Sequence, residues 1–395
     1  MPAASERSLS DSMSIFPSRG SIRLAELRQP SSTRIEALVL AGGRRQLLWF
    51  ETDGPPVQES ADAFLPVLLP AAMAAGLRLQ IEAPVSPEVV AAAHRVSDLL
   101  GSWYPHWREL NLTVASLTQQ PSPAVAPRDQ AAFFSGGVDS FRTLQRFGDQ
   151  LGHLLFVHGF DIAPAEQEKA QFVRRALTQV AAETGPSLLT VRTNLRSFTN
   201  RWVDWEQHQH GCALAAVALL LAPHLGKVWI PSSFSLPFLH PHGSHPALET
   251  LWSTSALELL HDTFSEDRID KVRALACWPL ARRQLRVCWQ PHTPELNCGH
   301  CRKCLWTQAL LRGFCGDQDW LTFPAHLDLE ALALIKLNRL WMVYGFRKLR
   351  AHLRQSGQDP DLLAVVNLLL RRHEQRGRDM ALRHLVVRAR ARLRP

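Results

Sequence analysis

Two stretches of this chain carry residue types that could do chemistry. The first is Ser135-Gly136-Gly137-Val138-Asp139-Ser140, which directly follows the apolar run Ala131–Phe134. Small residues between a buried strand and a helix let several backbone N–H groups converge at the positive end of a helix dipole, a geometry that suits phosphate. The glycines allow close approach and unusual backbone angles, and the two serines add hydroxyls. The second stretch is Cys288-x9-Cys298-x2-Cys301-x2-Cys304. Thiolates at Cys-x-x-Cys spacing fold back onto one ion, and four of them fill a tetrahedral zinc shell with no position left for water. The implied zinc is structural. Gly299 relaxes the turn, and His300 could stand in as a ligand although four cysteines suffice. An iron–sulfur cluster is the second choice.

These residues need a frame to hold them. From Val138, Phe141, Leu144 and Phe147 recur at helical spacing, so the glycine turn joins a strand to a helix. The same alternation continues. The strand HLLFVHGF leads into PAEQEKAQFVRRALTQVAAETG, SLLTVRTNL into WEQHQHGCALAAVALLLA, and KVWIPSSF follows. Strands separated by helices of this length predict a doubly wound, parallel α/β sheet. Ligands of such sheets bind at the carboxyl ends of the strands. Those ends carry Ser135–Ser140, His158–Asp161, Arg192–Arg196 and Pro231–Ser235.

Residues 1–25 are polar and Ser-rich and read as a disordered lead-in. Residues 26–118 read as an N-terminal α/β domain: a hairpin over Arg34–Thr52, a helix over Ser60–Ala75 broken by Pro66 and Pro70, a strand LRLQIEA, a helix starting at Ser86 and Pro87, and a strand RELNLTVAS. Residues 119–130, with Pro121, Pro123 and Pro127, read as a linker. Residues 131–320 hold both chemical motifs, and 321–395 form a basic helical tail. The net charge of +8 resides in that tail: from Lys336 on, fifteen Lys/Arg against four Asp/Glu leave +11, so the remainder carries −3. The longest apolar run, Cys212–Ala222, is about half of the ~20 residues that span a bilayer, so it reads as a buried helix. Four of the seven cysteines crowd into Cys288–Cys304 and the start of the chain has no apolar signal core, which predicts metal binding and a cytoplasmic location with no membrane partner. Cys212, Cys277 and Cys315 read as core residues.

The loop is neither a Walker A sequence nor a dinucleotide fingerprint. Ser-Gly-Gly-x-Asp-Ser after the first strand of a parallel sheet resembles the signature of the PP-loop, or N-type, ATP pyrophosphatases. With the downstream cysteine knuckle, it is most similar to 7-cyano-7-deazaguanine synthase and its relatives, over roughly Ala131–Phe314. The resemblance implies an adenine nucleotide alpha hydrolase-like (HUP-type) fold, with the N-terminal domain and the tail as additions. It implies cleavage of ATP between the α and β phosphates and amidation of a small-molecule acceptor such as a 7-deazaguanine carboxylate. The implied nucleotide-holding residues are Ser135, Gly136, Gly137, Val138, Asp139, Ser140, His158, Asp161 and Arg192, with Gly159 beside them; Asp139 and Ser140 are the catalytic candidates. An aspartate beside phosphate calls for a cation, so Asp139 is assigned to Mg²⁺ or to organising the loop. The segment before Cys288 lacks the tyrosine- and aspartate-containing substrate stretch associated with the synthase.

Arg192 and Arg196 could neutralise phosphate charge. The histidine-rich His240–Pro246 reads as an active-site loop, and His208 and His210 precede a helix. Arg268 and Lys271, one helical turn apart, could contact pyrophosphate or substrate, but read first as a solvated helix face. Two other functions fit the same motifs. One is thiolation or amidation of a tRNA base, with the basic tail gripping nucleic acid. The other is nucleotide sensing without turnover. A homodimer is compatible with the sequence.

Overall fold

In the computed structural model, residues 20–118, 128–288, 295–316 and 320–392 are described, with side chains through 376. Ten strands form one mixed, mostly parallel sheet. Along the chain they are β1 (Ser21–Ser31), β2 (Arg34–Ala41), β3 (Arg44–Thr52), β4 (Arg78–Val85), β5 (Leu112–Leu117), β6 (Asp129–Phe133), β7 (His153–His158), β8 (Ser187–Thr193), β9 (Leu225–Ile230) and β10 (Glu258–His261). Their order across the sheet is β10-β9-β6-β7-β8-β3-β2-β1-β4-β5.

The half from β10 to β8 is parallel throughout. The chain enters at β6, winds outward through β7 and β8, then crosses back to β9 and β10. The order therefore reverses between β6 and β9, and a crevice opens at such a switch point beyond the strands' carboxyl ends. The glycine turn leaves β6 at that crevice.

The N-terminal strands do not form a sheet of their own. β3 pairs antiparallel with β8 through Phe50↔Thr193, Glu51↔Arg192 and Thr52↔Val191, so the two halves are continuous. The hairpin of β2 and β3 turns on Gly42 and Gly43, both at positive φ (56° and 73°). The lead-in is shorter than the sequence suggests, because Ser21–Ala25 already belong to β1, while residues 1–19 lie outside the described residues. The linker likewise ends earlier, with Asp129 and Gln130 in β6; residues 119–127 lie outside the described residues.

Helices cover both faces. They are α1 (Leu65–Ala75), α2 (Pro87–Trp103), α3 (Val138–Phe147), α4 (Gln167–Thr184), α5 (Leu195–Thr199), α6 (His210–Leu220), α7 (Pro246–Glu249), α8 (Arg268–Ala276), α9 (Pro279–Gln284), α10 (Arg302–Cys315), α11 (Leu329–Leu334), α12 (Leu340–Ser356) and α13 (Pro360–Arg392). One core joins β1–β4, α1, α2 and α6, so the N-terminal unit and the parallel half share apolar contacts. The other gathers α3, α4, α8, the knuckle, α10, α12 and the first part of α13. The tail is thus packed into the body at least as far as Leu370. Every residue of the apolar stretch Cys212–Leu221 is buried, and among the described residues no helix is long and apolar enough to cross a membrane.

Pro66 and Pro70 do not break α1. Pro66 stands in the first turn, where its missing N–H costs nothing. Pro70 leaves the Pro66 carbonyl without its helical donor, and the buried Gln209 amide supplies one at 3.4 Å.

Candidate functional site

The turn after β6 takes the conformation its glycines permit. Gly136 adopts φ +77°, a region that side chains disfavour, and Gly137 is the N-cap of α3 in extended geometry. Ser135 Oγ accepts from the Gly137 amide at 3.4 Å, and the buried Ser140 hydroxyl donates to the Gly137 carbonyl at 3.1 Å. The first-turn amides of Val138, Asp139 and Ser140 have no partner within the helix and lie at its positive end.

A cavity of about 250 Å³ lies over this turn. Its walls come from the ends of β6 (Ser135, Gly137–Ser140), β7 (Phe160, Asp161) and β9 (Pro231, Ser233). His210, Ser244, Arg268, Arg286, Lys303, Trp306 and Trp341 close it from α6, α8, the knuckle and the tail. A shallower hollow of about 430 Å³ between α4 and β8 presents Asp53, Arg174 and Thr178 and gathers no comparable set of groups.

Arg268 and Lys271 are not on a solvated face. Asp267 and Asp270 form a capping box at the start of α8 and aim its first turn at α3. Arg268 Nη2 then lies 2.8 Å from Asp139 Oδ2, and Lys271 Nζ lies 3.1 Å from Asp139 Oδ1. Lys271 is 1% exposed and also donates to the Ser232 carbonyl. Burial alone would raise the Asp139 carboxyl, but Arg268, Lys271 and then Lys303 outweigh it and hold the carboxyl below its ordinary range. Both Asp139 oxygens are engaged by α8, which ties the first turn of α3 to that helix. Asp161 faces the cavity instead. Its side chain is solvent-exposed; partial desolvation in the cleft raises its carboxyl, and the surrounding Lys303, Arg286, His210 and Arg196 bring it below the usual value.

The remaining strand-end candidates do not all converge. His158 is buried beneath the β7–α4 loop with Nε2 2.8 Å from the Ala163 carbonyl, and burial pushes its pKa down. Arg192 points to the seam, 3.3 Å from Glu51 and over the Trp49 ring. Neither lines the cavity. Arg196 braces the loop that carries Asp161, donating to the Phe160 carbonyl at 2.5 Å and stacking on Trp205. His208 packs against Tyr104 and Trp107, away from the cavity wall that His210 forms. In the histidine-rich loop, His245 Nδ1 caps α7 through the Ala247 amide, His240 and His242 pack on Phe234, and Ser244 reaches the cavity.

The four cysteines cluster as a single ion requires. Their Sγ atoms all lie within 4.8 Å of one another, with Cys288–Cys301 at 4.0 Å and Cys298–Cys304 at 3.8 Å. Tetrahedral zinc with bonds of about 2.3 Å has sulfur–sulfur edges of about 3.8 Å. A multi-iron cluster would spread the thiolates over separate metal atoms, so the spacing favours one ion. In the metal-free chain, the contact with Cys288 and burial push the Cys301 thiol up to about 11, and a bound cation would have to displace that proton. Gly299, at φ +75°, makes the turn, and His300 Nδ1 bonds the Cys298 carbonyl rather than joining the cluster. Cys212 is buried, its thiol raised to about 12 by burial, whereas Cys277 is exposed and is not a core residue.

Asn297, fully buried, fastens the knuckle. Its Oδ1 accepts the Val287 and Cys288 amides at 2.7 and 3.2 Å, and its Nδ2 donates to the Leu285 and Thr322 carbonyls. This segment also forms the cavity wall: the Arg286 amide donates to the Gly136 carbonyl at 2.7 Å. Arg286 and Lys303 are functional candidates that the sequence reading passed over. The available signal was two cations beside and within the cysteine motif.

A comparison with protein-family models, with curated proteins and with solved structures found no match.

Proposed function

We propose that the chain is an ATP pyrophosphatase of the PP-loop type, forming AMP and pyrophosphate while it activates a carboxylate or amide oxygen for carbon–nitrogen bond formation, in the manner of 7-cyano-7-deazaguanine synthase. The observation that carries this reading is the placement of the Ser135–Ser140 turn at the β6/β9 switch point, where its free amides meet a cavity lined by cations.

The reaction is a displacement at the α-phosphorus. The acceptor oxygen attacks, the bond from the α-phosphorus to the bridging oxygen breaks, and pyrophosphate leaves with the electron pair. With a carboxylate acceptor, ammonia then displaces AMP and loses a proton; with an amide acceptor, loss of the N–H proton expels AMP and leaves a nitrile. The first-turn amides of α3 take up charge on the departing pyrophosphate, and the Asp139–Arg268–Lys271 cluster keeps them in position. Asp161 and His210 line the side of the cavity formed by β7 and α6, and Trp306 and Trp341 offer flat apolar walls to a planar acceptor. Mg²⁺, when bound with ATP, would neutralise phosphate charge, and Asp161 is the cavity carboxylate suited to it. Zinc on Cys288, Cys298, Cys301 and Cys304 would be structural.

The test is product analysis. Purified chain with Mg²⁺, ATP, ammonium and a 7-deazaguanine carboxylate should release AMP and pyrophosphate. Release of ADP and phosphate, or indifference to ATP across a panel of carboxylate and amide acceptors, would overturn the proposal.

A further inference from the structure

We infer that Arg286 is a second anion-binding element of this site, a side-chain clamp that completes a diphosphate pocket with the α3 amides. The inference rests on the nucleotide reading above and adds a residue that lies outside the loop signature.

Three observations carry it. Arg286 is 5% exposed, yet its Nη2 is buried with no hydrogen-bond partner among the described residues. A guanidinium is always charged and has five donors, so an unmet donor at this depth is costly unless a ligand satisfies it. Secondly, the residue is locked onto the loop. Its amide donates to the Gly136 carbonyl, its Nη1 donates to the Ser135 carbonyl at 3.3 Å, and its Cβ lies 3.4 Å from where a Gly136 side chain would begin. Thirdly, Arg286 lines the same cavity as Ser135 and the first turn of α3. Two donor sets of different kinds, amides and guanidinium, therefore address one space.

Two separate donor sets, the α3 amides and the Arg286 fork, suit the several oxygens of a diphosphate better than the two of a single carboxylate. Arg268, Arg286 and Lys303 line the cavity with Asp139 and Asp161, and Arg196 and His210 add positive charge around Asp161. The knuckle holds the clamp in place, because Asn297 ties the next two residues, Val287 and Cys288, to the segment carrying Cys298.

The experiment is calorimetric titration of inorganic pyrophosphate, with Mg²⁺, into zinc-loaded full-length chain, comparing wild type with Arg286→Met and Arg286→Lys. Zinc content and a cooperative melt establish that each variant is folded. Arg286→Met should weaken pyrophosphate binding by about ten- to a hundredfold, and Arg286→Lys by less, because the charge remains while the fork is lost. Wild-type affinity in folded Arg286→Met would overturn the inference while leaving the nucleotide reading intact. Should that variant not fold, wild-type affinity in Arg286→Lys does the same. A wild-type chain that binds neither pyrophosphate nor ATP removes the reading and the inference together.

Discussion

Lys271 Nζ stands 3.1 Å from Asp139 Oδ1 and also donates to the Ser232 carbonyl, so one buried ammonium joins the first turn of α3 to the segment leaving β9. Those are the two sides of the switch point. Beyond the β6–β9 ladder, the ion pair therefore ties the two walls of the crevice together. A second link runs parallel to it: Asp262 accepts from the Thr143 hydroxyl of α3 at 2.8 Å and from the Ser232 amide at 2.8 Å.

Breaking the Asp139–Lys271 pair from one side should be severe. Asp139→Asn leaves Lys271 charged and buried, and Lys271→Met leaves a carboxylate with one cation where it had two. Each single variant is expected to lose about 3 kcal/mol in urea unfolding, and the double variant less than the sum, because the fully buried Lys271 charge is no longer left without its carboxylate. Strict additivity in that cycle would mean that the two groups do not interact.

Acid should weaken the fold through the same carboxylate. The Asp139 pKa is lowered in the native state despite burial, chiefly by Arg268 and Lys271, against an ordinary value of 3.8. The unfolded chain therefore binds the proton first as pH falls. The contribution is fully present above the unfolded value and is lost as pH drops through the folded one. Unfolding free energy measured from pH 6 down to pH 3 should fall less steeply in Asp139→Asn than in wild type.

Much of this site was legible because its signals are local. A buried run, two glycines and a helix period are enough to place Ser135–Ser140, and Cys-x-x-Cys spacing is enough for the knuckle. What escaped was set by distant partners. Helical spacing cannot reveal that the first turn of α8 faces Asp139 rather than water. Arg192 stands at a strand end as expected, but Glu51 of β3 draws it aside, and no local pattern announces the β3–β8 pairing. Pro70 looked like a helix breaker because the amide that rescues it, Gln209, lies far along the chain.

Gly159 is a stricter requirement than the loop glycines. At φ +131°, a Cβ there would sit 2.0 Å from the Thr193 carbonyl oxygen, where the ends of β7 and β8 meet beside Asp161. Gly159→Ala must part those strands and should cost about 3 kcal/mol or more. Gly43 also has positive φ (73°) but open space around it, so Gly43→Ala should cost only about 1 kcal/mol. Equal melting temperatures for the two variants would contradict the close approach.

The knuckle offers the last prediction, because it couples metal to the anion wall. Cys288 and Cys301 lie 4.0 Å apart, and the Cys288 amide and Arg286 belong to one short segment fixed by Asn297 on one side and by Gly136 on the other. An ion that binds only the folded form adds about 2.7 kcal/mol when present at a hundred times its dissociation constant. The four-cysteine cluster predicts one zinc per purified chain, and Cys301→Ser or chelation should lower the unfolding free energy, by about 2.7 kcal/mol with free zinc at that hundredfold level and by more at higher excess. Losing the ion also frees the segment that carries Arg286, so pyrophosphate affinity should fall with zinc content even where far-UV circular dichroism is unchanged. A chain that keeps its stability and its pyrophosphate affinity with all zinc removed would show that Asn297 and the apolar core hold that wall without the metal.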